Sequence, residues 1–308
     1  MKLSGLILFF KGIAMGAANV IPGVSGGTIA LITGIYERLI NGIKSFDLKA
    51  FQFLFKLKLK EFARHTDLQF LIPIFLGIFV AVLSFAKLFK YLFVNYPVYL
   101  WAYFFGLVLA SIYYVGKTVE KWNSASIMSF IIGTAVAITI TILHPAAENS
   151  NPIYVFINGI VSIISMILPG LSGSFVLILL GNYQLIAIDA INHFDLKIIL
   201  PFALGAILGL VAFSHLLSWL FKKYKNQTIA LLTGFILGSL SVLWPWKKTI
   251  YLLDNGEIVM KHGKKVVAYY EKVLPECYSL NFFFAVLFII LGIISIIWIE
   301  KTSQQKND

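Results

Sequence analysis

Apolar residues in this chain are grouped in long runs, which short polar stretches rich in lysine separate. A run of about 20 apolar residues is long enough to cross the hydrocarbon core of a bilayer as a helix. Six such runs lie near residues 71–93, 98–115, 127–143, 199–221, 228–244 and 282–299. The pattern predicts an all-α polytopic membrane protein with six spanning helices and two shorter, interrupted apolar segments.

The two interrupted segments, residues 12–49 and 159–197, resemble each other in sequence. Each carries the tract Pro-Gly-x-Ser-Gly, which begins at Pro22 in the first segment and at Pro169 in the second. Further along, Pro73, Gly77, Gly106 and Ser111 fall opposite Pro201, Gly205, Gly234 and Ser239. So many ordered matches indicate two homologous halves.

Each interrupted segment is expected to form a broken re-entrant helical hairpin, because proline and several glycines stop a helix. The hairpin returns the chain to its starting side, so a half with three further transmembrane helices makes an odd number of crossings. Consecutive halves of this kind have opposite orientations, which predicts the inverted repeat found in many transporters. The first half is expected at 1–150, with its hairpin at 3–45 and a basic cytoplasmic loop at 46–67. The second is expected at 151–308, with its hairpin at 152–192, an external loop at 247–278 and a last helix at 280–299.

Charged residues make up only 13% of the 308 residues, against about 25% in soluble domains, so the surface must face lipid. The net charge of +11 would suggest nucleic acid in a soluble protein. Here the basic residues lie between apolar runs, so we expect no nucleic-acid partner. They crowd the loop at 46–67 and recur at the C-terminus, whereas 144–152 holds Glu148 and no lysine or arginine. The positive-inside rule then places both termini on the cytoplasmic side of the membrane. Oligomeric state stays open.

The loop at 247–278 fits this rule less well, because it also holds several lysines. Its tract Asp254-Asn255-Gly256 lies between IYLL and EIVM, which predicts a small β-hairpin. The tract KHGKK is expected to form a second turn. We interpret the loop as a solvated cap.

The Pro-Gly-x-Ser-Gly tracts are the strongest candidates for chemistry. Non-helical backbone survives at membrane depth only inside protein or beside a polar cavity. A new helix should begin near Ser25 and near Ser172, and its free amides and positive dipole end would suit a phosphate. The candidate phosphate-binding residues are Pro22, Gly23, Ser25, Gly26, Gly27, Thr28, Pro169, Gly170, Ser172, Gly173 and Ser174. The alternative is that both tracts are structural kinks with small residues at helix contacts.

Glu37 and Arg38 follow the first tract by about three helical turns. An ionisable pair near a membrane segment is a functional candidate. Arg38 could bind the phosphate bidentately, and Glu37 could orient it or carry a coupling proton. Alternatively, both residues anchor a helix end at the interface. Lys11, Lys87 and Lys90 are weaker candidates, because lysine can reach the interface with its long side chain.

Metal and cofactor sites are not expected. The five histidines show no His-x-x-x-His spacing, and Cys277 is the single cysteine. An enzyme is not expected either, because no base lies near Ser25 or Ser172 in the sequence.

The tract GAANVIPGVSGGTIALITGIYERL and its partner ILPGLSGSFVLILLGNY resemble the bacterial polyprenyl-phosphate transporter family, and the similarity covers nearly the whole chain. The resemblance implies a lipid-phosphate transporter, or flippase, that returns undecaprenyl phosphate from the outer to the inner leaflet for recycling of the cell-wall lipid carrier. The second copy departs from the first, because Gly27-Thr28 becomes Ser174-Phe175 and Glu37-Arg38 becomes Gln184-Leu185. Any role of the ionisable pair is therefore confined to one half.

Two other functions stay open at this stage. A transporter or channel for a small soluble anion could use the same amide-lined site, but it would need an enclosed aqueous path. A lipid substrate predicts a site that opens sideways to the bilayer. A membrane enzyme acting on a lipid phosphate would need clustered histidine and acidic residues, which the sequence lacks.

The charge asymmetry yields a testable topology. In intact cells, a membrane-impermeant thiol reagent should label the native Cys277 and should leave a Lys56→Cys variant unlabelled at its new cysteine. The controls are the wild-type protein and a cysteine-free Cys277→Ser background. Labelling of Lys56→Cys but not of Cys277 from outside would reverse the orientation.

Overall fold

The computed structural model describes the chain except for residues 1–4, 20–24, 144, 252, 255–256, 259, 262–263, 266, 276–278 and 305–308. The helices of the first half are α1 (Gly5–Asn19), α2 (Gly26–Ile32), α3 (Tyr36–Lys44), α4 (Leu48–Phe55), α5 (Leu59–His65), α6 (Leu68–Asn95), α7 (Pro97–Lys117) and α8 (Ser124–Ile142). Those of the second half are α9 (Pro152–Ile167), α10 (Gly173–Leu179), a π-helical stretch (Gln184–Asp189), α11 (Ala190–Asn192), α12 (Leu196–Lys223), α13 (Lys225–Ser239) and α14 (Leu280–Gln304).

Within the described residues, five helical segments are long and apolar enough to cross a membrane: Leu68–Phe85, Pro97–Lys117, Ser124–Ile142, Leu196–Lys223 and Leu280–Lys301. The sixth run predicted from hydropathy forms α13, which ends at Ser239 after 15 residues. A helix of that length measures about 22 Å, less than the roughly 30 Å of a hydrocarbon core. The chain then continues in turns, because the amide of Val242 donates to the carbonyl of Ser239. Five candidate spans therefore replace the six predicted.

The helices of the two halves pack in a matched way that follows the sequence repeat. α1 packs along α6 in the first half, and their counterparts α9 and α12 pack along each other in the second. The remaining long helices pair across the halves, α7 with α14 and α8 with α13. α13 and α14 are the counterparts of α7 and α8 in the sequence repeat. The two pairings across the halves are therefore equivalent under the repeat. The inverted orientation of the halves and the re-entrant depth of the hairpins stay predictions.

Glycines at matched positions allow these helix pairs to touch backbone to backbone. A Cβ atom added at Gly106 of α7 would lie 2.0 Å from the carbonyl oxygen of Ile289 in α14. At the matched Gly234 of α13 it would lie 2.2 Å from the carbonyl oxygen of Phe130 in α8. Small residues at helix crossings are typical of membrane proteins, where close approach supplies the van der Waals contact that drives association.

Each hairpin contains a second interruption that the sequence analysis did not predict. α2 and α10 each end after seven residues. Gly34 and Gly181 follow, with φ of +70° and +77°. Glycine adopts this left-handed backbone without steric cost, so the matched glycines mark a structural turn in both halves. The turn leads into α3 in the first half and into the π-helical stretch in the second.

The basic loop predicted at 46–67 is in fact a pair of short helices, α4 and α5. The carboxylate of Asp47 caps α4 by accepting a hydrogen bond from the amide of Ala50 at 2.9 Å. It also pairs with Nε2 of His65 at the end of α5, at 3.0 Å, which ties the two helices together. Phe51 and Phe55 stay exposed among the lysines, as is typical of helices that lie in the headgroup region.

The segment predicted as an external loop forms a small antiparallel cap. Its strands are β1 (Lys247–Tyr251), β2 (Leu253–Asp254), β3 (Glu257–Ile258), β4 (Met260–Lys261), β5 (Lys264–Lys265) and β6 (Val267–Lys272). β2 pairs with β3 at the Asp-Asn-Gly tract, β4 pairs with β5 at the KHGKK tract, and β1 pairs with β6 at the base. The pairing of β2 with β3 confirms the predicted hairpin, although Asn255 and Gly256 themselves lie outside the described residues. The predicted second turn includes His262 and Gly263, which also lie outside the described residues, and the side of the membrane on which the cap lies stays a prediction.

The glycine contacts predict the effect of an added methyl group. Gly106→Ala is expected to lower the unfolding temperature, because overpacking of this kind costs roughly 1–3 kcal/mol. Gly116, on the same helix, is a matched control, since its nearest neighbour to an added Cβ is a methyl carbon of Thr233 at 3.6 Å. Gly116→Ala should unfold at or slightly above the wild-type temperature, because alanine favours the helix. Thermal unfolding in detergent, followed by circular dichroism, measures both. Equal unfolding temperatures for the two variants would contradict the close crossing.

Candidate functional site

The first tract leads into α2, whose N-terminus is buried and fully bonded. Ser25 is the N-cap, and its hydroxyl oxygen accepts a hydrogen bond from the amide of Gly27 at 3.1 Å. The same hydroxyl donates to the carbonyl of Met166 in the second half at 3.3 Å. The amide of Gly26 donates to the side-chain oxygen of Asn19 at 2.6 Å. Two predicted site residues, Pro22 and Gly23, lie outside the described residues.

The two tracts meet in the structure. The hydroxyl of Thr28 accepts a hydrogen bond from the amide of Gly170 at 3.2 Å. Tyr36 donates its hydroxyl to the carbonyl of Ile167 at 3.1 Å. A Cβ atom added at Gly27 would lie 2.7 Å from that same carbonyl oxygen. The first tract therefore packs directly against the backbone of the second.

Gly170 itself has a conformation that requires glycine. Its φ is +81°, and an added Cβ atom would lie 2.7 Å from the carbonyl oxygen of Phe235. The preceding Pro169 is buried. The second turn thus packs between α2 and α13, so Gly170 has a structural role whether or not the turn also binds a ligand.

The second tract differs from the first in being open. Ser172 is half-buried and Ser174 is exposed, and their hydroxyl groups lie 2.8 Å apart. In the part of the chain that the structure describes, the amides of Gly173, Ser174 and Phe175 have no hydrogen-bond acceptor. The three corresponding amides of α2 are bonded to Asn19, to the Ser25 hydroxyl and to the Ser25 carbonyl. Among the described residues of the two copies, only those of the second offer unused donors to a ligand.

A large apolar cavity lies beside the first tract. Its volume is about 660 Å³, and its walls come from α1, α2, α6, α7 and α14. Ala18 and Ile29 line it, and they are the chain neighbours of Asn19 and Thr28. Aromatic rings, among them Tyr103 and Phe104, form much of the opposite wall. A hydrocarbon chain would find here a surface almost free of polar atoms.

Arg38 and Glu37 are placed away from both tracts. The guanidinium of Arg38 binds the carboxylate of Asp67 bidentately, at 2.7 and 3.1 Å, and covers the ring of Phe70 at 4.2 Å. Glu37 is exposed and borders, together with Arg38 and His65, a polar cavity of about 480 Å³. The structure gives neither residue a contact with Ser25 or Ser172. Helix anchoring accounts for the geometry of Arg38, and its role in phosphate binding stays a prediction.

Lys11 takes part in the structure of the first hairpin. Its ammonium group donates to the carbonyl of Thr33 at 2.7 Å, at the C-terminal end of α2. A cation at this end of a helix is favourable. The match of Gly12 with Gly159 places Asn158 at the corresponding position of the second half.

Asn158 and Ser162 are polar residues that the sequence analysis missed. Both are buried on α9, and within the described residues neither side chain has a hydrogen-bond partner. Buried polar groups are nearly always bonded, so this pair is unusual. Ser162 lies beside the second tract, because a Cβ atom on Gly173 would lie 2.8 Å from its carbonyl oxygen. The sequence signal was the substitution of Asn158 for Lys11 between the halves.

Within the described residues, no group of three histidine, cysteine, aspartate or glutamate side chains is close enough to hold a metal ion. The polar atoms around Ser25 and Ser172 are amides, carbonyls and hydroxyls. The chemistry available at the tracts is therefore neutral hydrogen bonding.

Comparison with known proteins gives a consistent result. A family model described as undecaprenyl phosphate translocase-like matches residues 15–259. A polyprenyl-phosphate transporter of Vibrio cholerae is 42% identical over 245 residues, which cover 80% of this chain and 79% of the relative. A polyprenyl-phosphate transporter of Staphylococcus aureus is 32% identical over 256 residues, covering 78% and 86%. No solved structure matches the chain.

The contact between the tracts predicts the effect of changing Thr28. Thr28→Val keeps the side-chain shape but removes the acceptor of the Gly170 amide, and a buried donor left unpaired costs about 1–3 kcal/mol. Thr28→Ser keeps the hydroxyl and serves as the control. Thr28→Val should therefore unfold at a clearly lower temperature than Thr28→Ser. The opposite order would show that the methyl group, and not the hydroxyl, joins the halves.

Proposed function

This chain belongs to the undecaprenyl phosphate translocase-like family, and on that premise we propose that it transports a polyprenyl phosphate across the membrane. The proposed substrate is undecaprenyl phosphate, which the protein would return from the outer to the inner leaflet of the bacterial cytoplasmic membrane. There it would be reused as a lipid carrier of cell-wall synthesis. The two relatives above are named polyprenyl-phosphate transporters, which supports the substrate class.

The observation that carries the proposal is the apolar cavity of about 660 Å³ beside a polar turn. A polyprenyl phosphate has a long hydrocarbon chain and a small anionic head, so it needs adjacent apolar and hydrogen-bonding surfaces. The cavity offers the first of these. The second tract, whose Gly170 touches Thr28 of the first, offers the hydrogen-bonding surface.

For the phosphate group we propose the open second tract as the binding surface. Ser172 and Ser174 supply hydroxyl donors, and the amides of residues 173–175 supply backbone donors. Neutral donors suit a site at membrane depth, because an uncompensated positive charge there would be costly. The first tract would act mainly as the support against which the second is held.

The two rival functions are less consistent with these features. A channel for a soluble anion needs a polar path, whereas the cavity of about 660 Å³ is lined almost entirely by apolar and aromatic side chains. A hydrolase needs a base beside its nucleophile. The Ser25 hydroxyl contacts an amide and a carbonyl, and the Ser172 hydroxyl contacts that of Ser174.

The proposal is tested with liposomes that contain only this protein and undecaprenyl phosphate carrying a fluorescent group. A membrane-impermeant reductant bleaches only label in the outer leaflet of the liposome. Label that starts in the inner leaflet should be bleached faster in these liposomes than in protein-free ones, because the protein carries it outward. Labelled phosphatidylcholine is the control, and its equal movement would indicate unspecific scrambling. In vesicles of known protein orientation, an imposed proton or sodium gradient should make transfer from the leaflet that corresponds to the outer face of the cell exceed the reverse. Uptake of inorganic phosphate without lipid movement would instead establish the soluble-anion function.

The contrast between the two tracts gives a sharper prediction for their serines. Ser172→Ala should weaken binding of farnesyl phosphate, a short polyprenyl phosphate, about tenfold or more, because a hydrogen bond to a charged group contributes roughly 1.5–3 kcal/mol. Its unfolding temperature should stay at the wild-type value. Ser25→Ala should instead lower the unfolding temperature, since that hydroxyl joins α2 to Met166. Normal binding by folded Ser172→Ala would mean that the second tract is only a structural kink.

A further inference from the structure

The base of the antiparallel cap carries two lysines side by side. Lys247 of β1 and Lys272 of β6 are cross-strand partners, so their side chains leave the same face of the strand pair. The ammonium group of Lys247 lies 3.6 Å from the centre of the Trp101 ring and donates to the carbonyl of Val242. That of Lys272 donates to the hydroxyl of Ser241 at 3.0 Å. Both lysines therefore point towards the ends of α7 and α13.

This pair of positive charges has no compensating acid within the described residues. The salt bridges found there join Arg38 to Asp67 and His65 to Asp47. Burial, together with the charge of Lys272, lowers the pKa of Lys247 to about 7. Two like charges held close together, one of them partly buried, repel each other unless an anion joins them, and a bound anion would raise the pKa of Lys247 again.

The lysine pair is connected to the apolar cavity through neighbouring aromatic residues. Trp101, on which Lys247 rests, follows Leu100 in α7, and Leu100 lines the cavity. Trp246, the residue before Lys247, lines a neighbouring cavity of about 410 Å³ together with Tyr96 and Tyr99. Those two tyrosines also line the large apolar cavity. The two lysines are thus connected to the large apolar cavity through the residues that the two cavities share.

We propose that Lys247, Lys272 and Ser241 form a second anion site, which takes the phosphate head of a polyprenyl phosphate as its chain enters the cavity. The inference rests on the proposed function for the lipid. The site is built from the cap and the end of α13 and includes no residue of either Pro-Gly-x-Ser-Gly tract. Two ammonium groups and a hydroxyl suit a phosphomonoester dianion. The cap is absent from the first half, where residues 118–123 take its place, so this site has no counterpart in the repeat.

The test measures binding of farnesyl phosphate to the purified protein in detergent, with inorganic phosphate and farnesol as separate probes. Farnesyl phosphate should bind in two events, and Lys247→Gln and Lys272→Gln should each weaken one of them about tenfold or more while leaving the event that depends on Ser172 unchanged. Lys248→Gln is the matched control, since it removes the same charge one position along the strand, on the opposite face. It should bind as the wild type does. Lys272 is exposed, so its variant tests the site even if Lys247→Gln does not fold.

The outcomes separate the proposals. If wild-type protein fails to bind farnesyl phosphate, the proposed function is wrong, and the lysine site falls with it. If wild-type protein binds and both folded glutamine variants bind equally well, only the lysine site is wrong. Inorganic phosphate that binds as tightly as farnesyl phosphate, and loses affinity in the same variants, would overturn the lipid as its ligand. Weaker inorganic phosphate binding and no binding of farnesol support the assignment.

Discussion

In a hydrocarbon environment, a chain that leaves the helix must find a partner for every amide and carbonyl that it frees. The two broken hairpins of this protein meet that constraint largely through each other. The amide of Gly170 is bonded to Thr28, and the carbonyls of Met166 and Ile167 accept hydrogen bonds from Ser25 and Tyr36. These bonds hold the start of α2 against the backbone of the second turn, so the described parts of both tracts lie at a single position in the molecule.

Close helix packing supports this arrangement from outside. The pairs α1–α6 and α9–α12 form within a half, whereas α7–α14 and α8–α13 join the halves. Matched glycines, Gly106 and Gly234, bring backbones into contact at the two pairs that join the halves. Because each half contributes one helix to each of these pairs, neither half can move far without disturbing both crossings. Packing of this kind would hold the meeting tracts in register.

The features for which we propose a function lie where the two halves differ. α2 has its first amides bonded, while α10 leaves them open, and the change from Gly27-Thr28 to Ser174-Phe175 accompanies that difference. The cap with Lys247 and Lys272 occurs in the second half alone, and the α4–α5 pair in the first alone. Neutral donors therefore occupy the tracts, whereas Lys247 and Lys272 of the cap lie outside the spanning helices. A phosphate could be attracted by charge at the cap and held deeper by hydrogen bonds, without a lysine buried in hydrocarbon.

The sequence by itself determined the features that depend on local backbone preferences and on hydrophobic run length. The apolar runs predicted the helices, the Pro-Gly-x-Ser-Gly tracts predicted breaks followed by new helices at Gly26 and Gly173, and the Asp-Asn-Gly tract predicted a hairpin in the cap. The length of the apolar run overestimated the length of α13, because hydropathy does not distinguish a helix from the apolar turns that follow it. The glycines of the second break were visible in both halves, but their left-handed φ was not.

Tertiary structure alone decided which partners these elements have. Thr28 and Gly170 are 142 residues apart, and Arg38 and Asp67 are 29 apart, so no local pattern could pair them. The sequence left Arg38 open between phosphate binding and helix anchoring, and only the packing of α3 beside α6 showed that it binds Asp67. The same holds for the buried Asn158 and for the register that sets Lys247 beside Lys272. Hydrogen bonds and charge pairs form between groups that packing brings within a few ångströms, and a sequence specifies that proximity only through the complete fold.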